Sequence, residues 1–273
     1  MCVLVVENVM LKSTKHSFHI VDPSPWPFFC SIIIFFTVLG LTGFFHKIFN
    51  GFTVMKTSLI LFLVCLFSWW RDVVREATFE GSHTKSVKYG LRLGMLLFIV
   101  SEVMFFFAFF WEFFHSSLNP SPFIGGTWPP VGIKTIDPWK IPFLNTVILL
   151  TSGATITYSH YSLIMKSIKN SLNGLQVTLF LAIIFTFFQV YEYCHSPFSI
   201  SDGIYGSVFF LTTGFHGFHV FVGTLFLLVN FIRMLMLHFT SAQHIGFECA
   251  IWYWHFVDVV WIFLFIFVYW WGY

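Results

Sequence analysis

The stretch GIYGSVFFLTTGFHGFHVFVGTLFLLVNFI, residues 203–232, lies between Asp202 and Arg233 and contains no Asp, Glu, Lys or Arg. This stretch decides the fold class. A helix of about 20 predominantly apolar residues crosses a bilayer, and the flanking charges mark where water begins. Working outward, charges punctuate six further runs of the same kind. The expected spans are residues 26–45, 52–70, 91–115, 141–165, 174–194, 203–232 and 247–271. The first opens at the breaker Pro23-Ser24-Pro25-Trp26-Pro27. The second is the weakest and reaches full length if Lys56 snorkels toward the interface.

Composition agrees with these runs. Hydrophobic residues make up 57% of the 273-residue chain and charged residues 10%, where soluble domains carry about 25% charged. A water-soluble enzyme, a disordered tail and a β-barrel of alternating strands are excluded. The reading is an all-α membrane protein with seven transmembrane helices, organised as a single polytopic domain over residues 1–273. A net charge of +2 offers no basic patch for nucleic acid, and the five cysteines form no Cys-x-x-Cys pair. Neither a disulfide framework nor thiolate metal ligation is expected. No cleavable signal or transit peptide pattern is visible, which fits synthesis close to the membrane.

Lys and Arg give the orientation. With the N-terminus inside, Lys12, Lys15, Arg71, Arg75, Lys85, Lys88, Arg92, Lys166, Lys169 and Arg233 fall inside. Lys47, Lys56, Lys134 and Lys140 fall outside. The positive-inside rule then favours N-inside and C-outside. Trp69-Trp70, Trp128, Trp139 and Trp270-Trp271 sit near span ends, as an aromatic belt requires. The connection from Arg71 to Gly90 is polar and charged. That from Ser116 to Lys140 is rich in Pro and Gly and predicts an ordered loop without helix. No internal repeat of the kind secondary transporters show is present.

Few residues inside the spans can carry chemistry. A carboxylate near mid-bilayer costs roughly 2.5–3.5 kcal/mol on insertion scales, which singles out Glu102 in the third span. Desolvation favours its neutral form. A hydrogen bond across a helix interface and a proton-related role both stay open. Glu112, ten residues on, is about 15 Å further along the helix and reads as a solvated end-of-helix charge. Asp258 has His255 on the same helix face, giving either a proton relay or, better, a helix-locking bond. His216 and His219 share a face at a spacing that suits a metal, but the Glu residues of a diiron site are missing. The surrounding glycines favour close helix packing with the histidines bonded across it. No metal or catalytic residue is expected in this chain. Arg71, Arg75, His83, Lys85 and Lys88 beside Trp69-Trp70, with Arg233 and His238, form an inner-leaflet set suited to anionic headgroups. An ordinary positive-inside loop accounts for the same charges.

The ordered motifs Trp69-Trp70-Arg71-Asp72-Val73-Val74-Arg75-Glu76, Ser101-Glu102-Val103, Trp128-Pro129-Pro130, Ser201-Asp202-Gly203-Ile204-Tyr205-Gly206-Ser207, Thr213-Gly214-Phe215-His216-Gly217-Phe218-His219-Val220 and Trp252-Tyr253-Trp254-His255-Phe256-Val257-Asp258 resemble the cytochrome c oxidase subunit III family over about 250 residues. The resemblance implies two-helix and five-helix bundles separated by a V-shaped, lipid-filled cleft. It implies a non-catalytic core subunit of a proton-pumping oxidase, without cofactor of its own, beside a catalytic haem-copper subunit I that carries haem a and copper. A respiratory supercomplex is compatible with it. The implied location is the mitochondrial inner membrane, N-terminus in the matrix and C-terminus in the intermembrane space. Glu102 matches the family's membrane carboxylate, and Trp70, Arg75, His83, Arg233 and His238 match positions lining phospholipid headgroups. Departures are the Met1–Met10 extension, Ser82 before His83, Glu112, and Tyr161 after His160. A quinol-oxidase subunit III and an independent proton-coupled carrier using Glu102 and Asp258 are the alternative readings.

Overall fold

The computed structural model describes His16 and residues 18–273. Lys12, Lys15 and the Met1–Met10 extension lie outside the described residues. Seven helices are long and apolar enough to span a membrane, and no strand occurs among the described residues. They are α1 (Trp26–Phe45), α2 (Gly51–Thr78), α3 (Lys85–Leu118), α4 (Ile141–Ile164), α5 (Ile168–Cys194), α6 (Gly203–Leu235) and α7 (Ile245–Phe263). A π-helical stretch, Leu264–Trp271, continues α7 to the end of its span.

α1 starts where expected because Pro27 occupies its first turn, the helical position that needs no N–H. α2 and α3 run past their hydrophobic segments, so most of the Arg71–Gly90 connection is helical and only residues 79–84 separate the two helices. Hydropathy marks where water begins, whereas a helix stops only at a breaker. Here the break comes at Gly81, with φ of 68°. The loop after α3 is ordered, with one 3₁₀ turn at Pro122–Ile124. Its Trp128 ring packs 5.7 Å from Phe113 and 5.3 Å from Tyr205.

The chain divides into two compact units after Leu91. The first contains α1 and α2, and the second contains most of α3 with α4–α7, the two-plus-five division of helices that the resemblance implies. In the first unit the helices approach until little fits between them. A Cβ added at Gly40 would stand 2.4 Å from the Met55 backbone nitrogen, and one at Gly51 2.5 Å from the Gly43 carbonyl carbon. Small residues let membrane helices meet backbone to backbone, where packing replaces the hydrophobic effect as the driving force.

The second unit is built around α7, the most buried span. Trp254 and Trp261 are fully buried, and each donates its indole N–H to a hydroxyl on α4. Trp254 bonds Ser152 at 2.9 Å and Trp261 bonds Thr146 at 2.9 Å. α4 and α5 are joined by Ser159 donating to the Ser171 carbonyl at 2.7 Å and by the Thr155–Thr178 hydroxyl pair at 2.7 Å. α3 is the least buried span, and many of its large apolar side chains, among them Leu97, Met104 and Trp111, point outward. An apolar exterior of this kind belongs against lipid.

Gly40→Ala should lower the thermal transition of the purified protein by an amount equivalent to about 1–3 kcal/mol, the usual cost of overpacking. Gly90→Ala, where an added Cβ meets nothing within 4 Å, is the control and should not destabilise. Differential scanning fluorimetry of both variants checks this, and equal transitions would contradict the backbone contact.

Candidate functional site

Glu102 lies near the middle of α3, and its partner is on α6. Its Oε2 is 2.6 Å from His219 Nε2. His219 Nδ1 in turn lies 2.6 Å from the Phe215 carbonyl. A carbonyl only accepts, so Nδ1 carries a proton. Two protonation patterns then satisfy every contact. In one, the neutral acid donates to the bare Nε2; in the other, an imidazolium donates to a carboxylate. Both hold a single proton between the two side chains, and both are electroneutral. His219 is buried and Glu102 half-buried. Phe105 and Phe106 bring their rings to 6.0 and 4.9 Å from the imidazole.

His216 points elsewhere despite its i, i+3 spacing from His219. It is fully buried, and its Nε2–H donates to the Val257 carbonyl at 3.2 Å. The two histidines therefore serve different interfaces, each bonded across a helix contact.

Asp258 and His255 form the expected local pair, at 3.5 Å between Oδ2 and Nδ1. His255 Nε2 also reaches Thr157 on α4 at 3.2 Å. Gly153 makes room for the acid, since a Cβ there would stand 2.5 Å from Asp258 Oδ2. The other carboxylate oxygen is buried with no hydrogen-bond partner among the described residues.

The five residues matched to headgroups fall into two sets. Trp70, Arg75 and His83 belong to the first unit. Trp70 and Arg75 are exposed, while His83 packs on His19 at 5.5 Å between ring centroids. Glu76 lies 4.0 Å from His19, so this set includes an acid as well as cations. Arg233 and His238 belong to the second unit. The Arg233 guanidinium sits 4.4 Å over the Phe239 ring, and its buried Nε has no hydrogen-bond partner among the described residues. Burial, with Arg233 beside it, pushes the His238 imidazole below its ordinary value. At neutral pH His238 is thus an uncharged hydrogen-bonding group, leaving Arg233 as the cation of its set.

Two polar groupings were not anticipated. Glu192 on α5 is buried and accepts from the Tyr269 hydroxyl at 2.6 Å. His160 and His244 meet through their Nε2 atoms at 3.2 Å. Glu248, which Arg92 grips at 2.7 and 2.9 Å, lies 3.3 Å from His244. The i, i+4 spacing of His244 and Glu248 was a usable signal. Nothing in the sequence pointed to His160 as the third member.

A family model described as cytochrome c oxidase subunit III matches residues 16–273. A curated relative from Arabidopsis thaliana, cytochrome c oxidase subunit 3, is 56% identical over 263 residues, covering 96% of this chain and 99% of its own length. The protein of the same name from the hagfish Myxine glutinosa is 56% identical over 262 residues, covering 96% and 100%. That from Chondrus crispus is 55% identical over 258 residues, covering 94% and 95%.

If one proton is shared between Glu102 and His219, the two side chains depend on each other. Glu102→Ala and His219→Ala should each cost about 1–3 kcal/mol through the stranded partner. The double variant should cost little more than either, a coupling of about 0.5–3 kcal/mol. Thermal unfolding of all four proteins tests this, and strict additivity would dissolve the pair.

Proposed function

This chain belongs to the cytochrome c oxidase subunit III family, and from that premise we propose that its Glu102–His219 pair sustains turnover in the oxidase. Membership makes the chain a non-catalytic, multi-pass membrane subunit of an oxidoreductase complex, associated with other oxidase subunits, in a family that holds no cofactor of its own. Neither the quinol-oxidase nor the carrier reading is favoured.

The observation that carries the proposal is the 2.6 Å contact between Glu102 and His219. Moving the proton from carboxyl to imidazole changes no net charge. In a low-dielectric slab that matters, because a hydrogen-bonded pair costs less there than an isolated charge. The pair can therefore hold a proton on either side chain, and releasing it leaves one negative charge that a replacement proton must cancel. Its role is to support proton uptake by the neighbouring haem-copper subunit I, which carries haem a and copper, and so to keep the catalytic centre from inactivating. Asp258 is the second acid of the proposal, and its contact with His255, which also reaches Thr157 on α4, supports helix locking better than relay.

Eukaryotic relatives named cytochrome c oxidase subunit 3 support a mitochondrial inner-membrane location, and the charge count supports the N-terminus in the matrix. The chain acts as one polytopic domain, and a supercomplex is compatible with that arrangement. Arg75, His83, Arg233 and His238 bind phospholipid phosphates, with Trp70 and Phe239 beside them. The Arg233 Nε, without a hydrogen-bond partner among the described residues, supports this, since charge-assisted bonds to phosphate are the strong use of a guanidinium.

Two measurements test the proposal. In the purified oxidase, Glu102→Gln keeps shape and a donor but cannot give up a proton. It should start near the wild-type rate and then lose activity several-fold faster during prolonged oxygen consumption, with Glu102→Asp intermediate. A wild-type lifetime in the Gln variant would reduce Glu102 to a helix fastener. Separately, an Arg75→Ala/Arg233→Ala double variant should retain less phospholipid per complex after detergent washing, read by lipid phosphorus and mass spectrometry. Unchanged lipid would remove these arginines from the headgroup sites.

A further inference from the structure

The proton pair and the headgroup residues leave the His160, His244 and Glu248 cluster without a role. His160 lies one turn before the end of α4, His244 is the N-cap residue of α7, and Glu248 sits in its first turn. Their ligand atoms all lie within 4.8 Å of one another. His160 Nε2 is 3.2 Å from His244 Nε2, and His244 Nε2 is 3.3 Å from Glu248 Oε1. Ligands bound to a tetrahedral zinc ion at about 2.0–2.1 Å stand about 3.3–3.4 Å apart. The two separations are thus already those of neighbouring corners around one such ion.

The donors are also prepared. His244 Nδ1 lies 2.9 Å from the Thr240 carbonyl, so Nδ1 carries a proton and Nε2 is the nitrogen left to bind an ion. Fixing one imidazole nitrogen on a carbonyl is the usual way a metal-ligating histidine is oriented. Glu248 is held through both oxygens by Arg92 at 2.7 and 2.9 Å, as ligating carboxylates commonly are held from behind. His244 is buried, while His160 and Glu248 are half-buried, so an ion can reach the site and lose part of its water.

We propose that His160, His244 and Glu248 form an exchangeable site for a divalent transition-metal ion, zinc by ligand chemistry. Two imidazoles and one carboxylate suit zinc and not the all-oxygen preference of calcium or magnesium. Three protein ligands leave the fourth position to water. The Arg92 charge beside the carboxylate opposes a further cation, so the ion is a reversible ligand and not a resident cofactor. Bound there, zinc ties the end of α4 to the start of α7 and raises the stability of the state that binds it. Nothing in this inference depends on the proton role of Glu102.

The test uses the intact oxidase, stripped with a chelator, dialysed against buffered free Zn²⁺ and analysed for metal per haem. Wild type should take up one equivalent more than His160→Gln at the same free zinc, with affinity in the variant lower by about tenfold or more. His160→Cys, which restores a zinc ligand, should recover the equivalent. Equal uptake by wild type and His160→Gln overturns the site. If the variants do not assemble, anomalous scattering at the zinc edge from the zinc-soaked wild-type complex decides. A peak among the three side chains upholds the site, and its absence there overturns it.

Discussion

The structure depends on one constraint: inside a hydrocarbon slab each polar group must find its partner within the protein. Helices satisfy the backbone, which leaves the side chains. Hydroxyls bond back to carbonyls of the preceding turn, as Thr157 does to Gly153 and Thr212 to Val208. The large groups bond across helices, as Trp254 does to Ser152 and Trp261 to Thr146. The small residues of α4 therefore do two things. They let α5 and α7 come close, and they supply the hydroxyls that the indoles need.

α3 shows the constraint from the other side. It buries little apolar surface, and apolar contact with lipid gives a helix no reason to prefer protein. Its attachment in the second unit combines a row of aromatic contacts, with Phe106 buried in the core, and polar anchors. Arg92 holds Glu248 of α7, and Glu102 holds His219 of α6, about 15 Å further along α3. Phe113 adds an apolar anchor beyond them, fully buried against Trp128. An acid inside the membrane that looks costly in isolation becomes a fastener once its histidine is in place.

Much of the fold was legible because charge is so rare in this chain that each Lys, Arg, Asp or Glu is a boundary marker. Seven spans could be read directly, and the bounds of α1 came out as expected. The helix ends after Trp70 and before Leu91 were not legible, since a helix continues through polar residues that hydropathy reads as loop. Glu102 stood out by the cost of its charge, but its partner lies 117 positions away. Helical periodicity grouped His219 with His216, its neighbour on one face, whereas the two imidazoles turn to different helices. His160 at the polar end was hidden for the same reason, since it meets His244 only through the fold.

The brevity of the connections has a consequence for how such a chain meets its neighbours. In the second unit, α4 passes to α5 through residues 165–167, and α6 to α7 through residues 236–244. These two connections offer little aqueous surface for another protein to grip, while the sides of the helices carry broad apolar faces. Recognition of other subunits is then a lateral encounter in two dimensions, governed by diffusion in the plane of the bilayer and by the lipid that must be displaced first. Bulk concentration in the surrounding water, the usual variable of binding, has little hold on such an assembly.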